Sequence, residues 1–145
     1  MAKTKWPKLP RFFVPLFHSA NVYLCRSKEE WDQACIHLGV DSGGNEMLAG
    51  ATQSYCNTET GENLYLLGVF NGNAATLVHE CAHVAFYVCR DVGVTTHPGD
   101  ANETYCYMLD RMFSHFLPFF HEPEKKEPSN GKPKLHAIMA SLQRC

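Results

Sequence analysis

The stretch from Asn73 to Gly93 constrains this chain more than any other. Leu77, Cys81, Val84, Ala85 and Val88 recur at helical spacing and predict one apolar stripe. Asn73 can cap such a helix, and Gly93 can end it. The helix is predicted over Ala74 to Val92. A stripe of that kind needs a sheet or other helices to cover it. Two strand candidates precede it, Leu48 to Cys56 and Leu64 to Phe70, joined by the turn-rich stretch Asn57 to Glu62. Earlier in the chain, Phe12-Phe13-Val14 and Asn21 to Cys25 favour strands. Between these pairs, Ser27-Lys28-Glu29-Glu30 forms a capping-box pattern. It opens a helix carrying Trp31, Ala34, Cys35 and Leu38, which Gly39 closes. A third helix is predicted from near Asp100 to before Pro118, with Cys106, Leu109, Met112, Phe113, Phe116 and Leu117 as its apolar members. The fold class implied is α+β, a small antiparallel sheet packed on two consecutive helices.

With 145 residues, one domain is expected, covering residues 1–120. Residues 1–10 read as a loose arm, and residues 121–134, rich in Pro, Glu and Lys, as a solvated linker. Residues 135–145 read as a short C-terminal helix or tail that can dock back. The formal charge of −2 gives no support for nucleic-acid binding. No apolar run approaches transmembrane length, and no signal-peptide pattern follows the basic N-terminus. A cytoplasmic setting is therefore expected, with no membrane partner. The seven cysteines, an odd number spread without paired spacing and without a secretion signal, argue against a disulfide framework, and the absence of a CxxC pair argues against a thiolate zinc knuckle. They are expected to be small buried hydrophobes.

Within the long helix lies His79-Glu80-Cys81-Ala82-His83, an HExxH pattern. Residues four apart share a helix face one turn apart, so both imidazoles can hold one zinc ion. Glu80, beside the first ligand, can reach a water on the metal without taking a coordination position. With eight His and ten Glu in the chain, chance predicts roughly 0.03 such patterns. The plainer alternative is a histidine pair on an ordinary helix.

A catalytic zinc needs a third protein ligand and an open position. Glu103, 20 residues past His83, can fold back from the next helix. It also completes the capping-box pattern Asp100-Ala101-Asn102-Glu103, so capping is its competing role. His97 lies in the intervening loop as a second ligand candidate. On an unbroken helix Cys89 points roughly 240° around from His83, which removes it.

HExxH followed by Asn102-Glu103 on the next helix resembles the gluzincin clan of zinc metallopeptidases. Glu103-Thr104-Tyr105-Cys106-Tyr107 is further similar to small single-domain metallopeptidase-like proteins of phage and prophage genomes. The resemblance spans residues 48–117 and implies a minimal zincin-like fold, with zinc on His79, His83 and Glu103. It implies hydrolysis of a protein or peptide in the cytoplasm, that of a host if the chain is phage-encoded, with Glu80 as general base. In larger gluzincins an Asp four residues after the glutamate ligand orients the first histidine. Here that position is Tyr107, and Asp110 is the candidate substitute. Donors for the tetrahedral oxyanion are Tyr105, Tyr107, His97 and His115, of which Tyr107 is taken as the catalytic one. Each has packing as its alternative role. The resemblance also makes the strand Leu64 to Phe70 an edge able to pair with an extended substrate, unless it is simply structural. Phe113, Phe116, Phe119 and Phe120 are expected in the core rather than in a specificity pocket. The competing function is a catalytically silent module in which zinc is structural and a protein partner is bound. A metal-free α+β domain is the third reading.

Overall fold

A computed structural model describes residues 5–43, 48–97, 99, 102–120 and 142–144. The element order is β1 (Arg11–Val14), β2 (Ala20–Cys25), α1 (Lys28–Leu38), β3 (Gly50–Asn57), β4 (Asn63–Val69), α2 (Ala74–Asp91), α3 (Glu103–Phe116) and β5 (Leu142–Arg144). The strands form one sheet in the order β1-β2-β4-β3-β5. The α+β class is thus observed.

Local chemistry sets the helix ends. Ser27 accepts a hydrogen bond from the Glu30 amide, and Gly39 closes α1 in the left-handed conformation that favours glycine. Asn73 accepts from the Ala75 amide and so caps α2. The proposed cap at the start of α3 involves Asp100, which lies outside the described residues; the helix itself begins at Glu103.

The sheet corrects the antiparallel expectation. β3 and β4 form the expected antiparallel hairpin, but β2 pairs with β4 in parallel, Val22 opposite Tyr65 and Leu24 opposite Leu67. The reason is the long connection: α1 and β3 intervene, which lets the chain return in the same direction. A second correction concerns Leu64 to Phe70. This strand is not an edge, because β4 lies between β2 and β3. Tyr65, Leu67 and Val69 face a core shared with Leu77, Cys81, Val84, Ala85 and Val88 of α2 and with Met108, Met112 and Phe116 of α3. Leu66 faces the opposite way, into a second core with Trp31, Ala34, Cys35 and Leu38 of α1. A strand covered on both faces is apolar along its whole length rather than alternating.

Smaller differences follow from packing. Residues 5–10 are not a loose arm throughout, since Trp6 packs edge-on against Tyr23 at 5.0 Å and against His37 at 5.4 Å. Cys106 is exposed, while Met108 takes the buried position in that part of α3. Phe116 is fully buried, whereas Phe119 remains 40% exposed. Leu142–Arg144 is a strand paired with Tyr55–Asn57 rather than helix. The proposed linker, residues 121–134, lies outside the described residues. Cys56 is disulfide-bonded, against the expectation that every cysteine is a thiol; Cys25, Cys35, Cys81, Cys89 and Cys106 are free. Cys56 stands in β3 opposite Gln143 of β5 and is only partly buried, whereas Cys25 and Cys81 are fully buried. No helix among the described residues is long and apolar enough to cross a membrane.

Candidate metal centre

The helical spacing of α2 places His79 and His83 side by side on its exposed face. Their Nε2 atoms are 3.1 Å apart, with ring centroids 4.8 Å apart. Two nitrogens at that separation, each about 2.05 Å from one zinc, subtend roughly 100° at the metal, close to the tetrahedral angle. That separation suits two ligands of one zinc ion, and it is equally that of a hydrogen bond between the two rings.

Glu80 projects from the flank of α2 toward β3 and is only 6% exposed. An isolated buried carboxylate is unfavourable unless it is hydrogen-bonded. Thr52 of β3 supplies that bond, its hydroxyl donating to Glu80 Oε2 at 2.6 Å. The other oxygen, Oε1, lies over Gly50. A Cβ at Gly50 would stand 2.8 Å from Oε1, from the Gly68 carbonyl oxygen and from Thr76 Cγ2. Only glycine lets β3 approach α2 this closely. Glu80, His83 and Tyr87 line one wall of a cleft of about 400 Å³, with Gly50, Ala51, Thr52 and Gln53 of β3 opposite. Trp31 and Leu48 add apolar surface to the same cleft.

Other predicted residues go elsewhere. Glu103 opens α3 on an exposed face, and Tyr107, one turn later, is 64% exposed. Among the described residues no group of three His, Cys, Asp or Glu side chains is close enough to hold a metal ion, so Glu103 does not join the imidazole pair in this conformation. α3 nonetheless packs beside α2 near the site, where the Tyr105 ring lies 4.6 Å from Phe86. Burial pushes the Tyr105 hydroxyl above its ordinary pKa. His97 sits in the connection, its carbonyl accepting from the Asn102 side chain at 3.2 Å. Cys89 is buried in the core, as its angular position requires. Asp110 and His115 do not support the site. Both line a separate depression with Phe12 and Pro15, and His115 Nε2 lies 2.9 Å from the Arg11 carbonyl oxygen. Their helical phase turns them toward β1 and away from α2.

Thr52 and Gly50 were not identifiable as site residues from any motif. The one available signal was Gly50 itself, since glycine at a strand position often marks a close approach. No family model, curated protein or solved structure matches the chain.

Proposed function

We propose that the protein is a zinc-dependent metallopeptidase acting on protein or peptide chains. The observation that carries this reading is the combination of a zinc-compatible imidazole pair with a buried, hydrogen-bonded carboxylate on the next residue. A purely structural zinc site has no use for that carboxylate. His79 and His83 would hold the metal; Glu103, which stands apart from them in this conformation, would complete the set once the first turn of α3 closes on the pair. Bound zinc supplies a Lewis acid that acidifies water and polarises the scissile carbonyl.

The chain's own residues do the rest. Glu80 accepts the proton of the attacking water and delivers it to the leaving amine. Thr52 occupies Oε2 and so holds the carboxyl plane, leaving Oε1 as the basic oxygen. Gly50–Ser54 of β3, whose outer edge pairs with no strand among the described residues, offers backbone groups to an extended substrate. Tyr107 is the proposed donor to the oxyanion.

The test compares wild type with Glu80→Gln after zinc loading. Equal zinc content, with peptide products by mass spectrometry only from wild type, supports the peptidase. Equal zinc content with no products from either across a broad peptide mixture favours the silent partner-binding module.

A further inference from the structure

The face that α2 turns to solvent is unusual in composition. Its exposed positions between the Asn73 cap and Arg90 are Ala75, Val78, His79, His83 and Phe86, none of which carries a fixed charge. A surface helix ordinarily puts charged and polar side chains there. Val78 is 39% exposed and Phe86 48%. The two imidazoles stand midway along this stripe, with Ala75 and Val78 before them and Phe86 after. Among the described residues their only hydrogen-bond partners are each other. No third His, Cys, Asp or Glu side chain among those residues comes close enough to complete a metal site with them. One chain thus presents two nitrogen ligands of a site that needs three or four.

We propose that a second copy of this chain supplies the rest: His79 and His83 of two copies, related by a twofold axis, hold one zinc ion between them and so form a dimer. Four neutral imidazoles satisfy the closed tetrahedral coordination of a structural zinc site. A twofold axis brings the same patch of each copy together, so two ligands per chain become four with no further residue required. The stripe suits this contact, since it sets no like charges against each other across the axis. Phe86 lies three residues past His83 and Ala75 four before His79, about 4.5 and 6 Å along the helix. In an antiparallel crossing at the imidazoles, Phe86 of one copy therefore comes opposite Ala75 and Val78 of the other. Three exposed apolar residues fall well short of the roughly 800 Å² per partner of a standard interface, so zinc-free chains stay apart and the metal decides the state. Glu80, turned toward Thr52 of β3, takes no part. The bridge needs only the imidazole pair and stands apart from the peptidase reading. Where both hold, the dimer is the idle form, because its four zinc positions are filled and none is left for water.

The experiment titrates zinc into metal-free full-length protein, reading molecular mass by sedimentation velocity and bound metal by equilibrium dialysis with elemental analysis. The expected result is conversion of monomer to dimer, complete at one zinc per two chains and reversed by EDTA. His83→Ala, at an exposed helix position whose change leaves the core intact, abolishes the zinc-induced dimer. Phe86→Arg, which spares all four imidazoles but puts an unpaired charge into the contact, weakens it at least tenfold. Glu103→Ala leaves it unchanged. Monomers holding one zinc per chain, with occupancy lost in Glu103→Ala, overturn the bridge and support the three-ligand set of the peptidase reading. A dimer that forms without zinc, a zinc-induced dimer that survives His83→Ala, or no zinc uptake at all also overturns the bridge.

Discussion

The two flanks of α2 differ in how completely they are built. Toward β3, Glu80 is buried, bonded to Thr52 and seated over a glycine that admits no side chain. Toward α3, Glu103 and Tyr107 stand on an exposed face and do not close on His79 and His83. The difference teaches that the proposed base and the proposed third ligand depend on different parts of the chain. β3, β4 and α2 form one continuous run from Gly50 to Asp91, joined by short turns. α3 reaches the site only through the connection of residues 92–102. A short-range unit positions Glu80, whereas the position of Glu103 depends on a longer-range one.

The sharpest way to break this comparison is to remove ligands. His79→Ala or His83→Ala should lower zinc affinity by roughly 100-fold or more in chelator competition, since each is a proposed direct ligand. Glu103→Ala should lower it at least about tenfold with no change in melting temperature. Unchanged affinity in that variant would remove the α3 flank from the site.

Next in size is Gly50→Ala. The new Cβ must displace Glu80 or the backbone of β4, so urea denaturation should show a loss of about 1–3 kcal/mol. A loss near zero would mean that the β3 flank is loosely built after all. Thr52→Val leaves Glu80 without its hydroxyl donor and should destabilise by about 1–2 kcal/mol, again in urea. Thr52→Ser, which keeps the donor, should recover most of that stability.

Smaller effects calibrate the core beneath both flanks. Tyr65→Phe removes the hydroxyl that donates to Asp91, and about 1 kcal/mol is expected. Burial raises the Cys81 thiol to about 12 and the Cys35 thiol to about 11. Both therefore stay protonated at pH 8. Iodoacetamide on the folded protein should label exposed Cys106 first, and early labelling of Cys81 by peptide mapping would show that the α2 core opens.

The helices were legible because capping and periodicity are local. Ser27, Gly39, Asn73 and the α2 stripe behave as their sequence patterns require. The imidazole pair was legible for the same reason, since i, i+4 spacing on a helix is geometry that the backbone alone enforces. Leu64 to Phe70 shows where such reading failed. Its unbroken apolar run was the mark of a strand covered on both faces, yet the resemblance placed it at an edge. Asp110 and His115 had suitable chemistry, but their neighbours at β1 decided their roles.

What the sequence alone determined is the set of contacts spanning one or two turns: the caps, the apolar stripes, and two histidines with a glutamate on one helix. What only the tertiary structure decided is which strand borders the cleft, that Thr52 and Gly50 cradle Glu80, and where Glu103 stands relative to the imidazoles. These depend on strand order and helix placement. Both follow from burying two faces of one sheet at once, a condition that no local window of residues encodes.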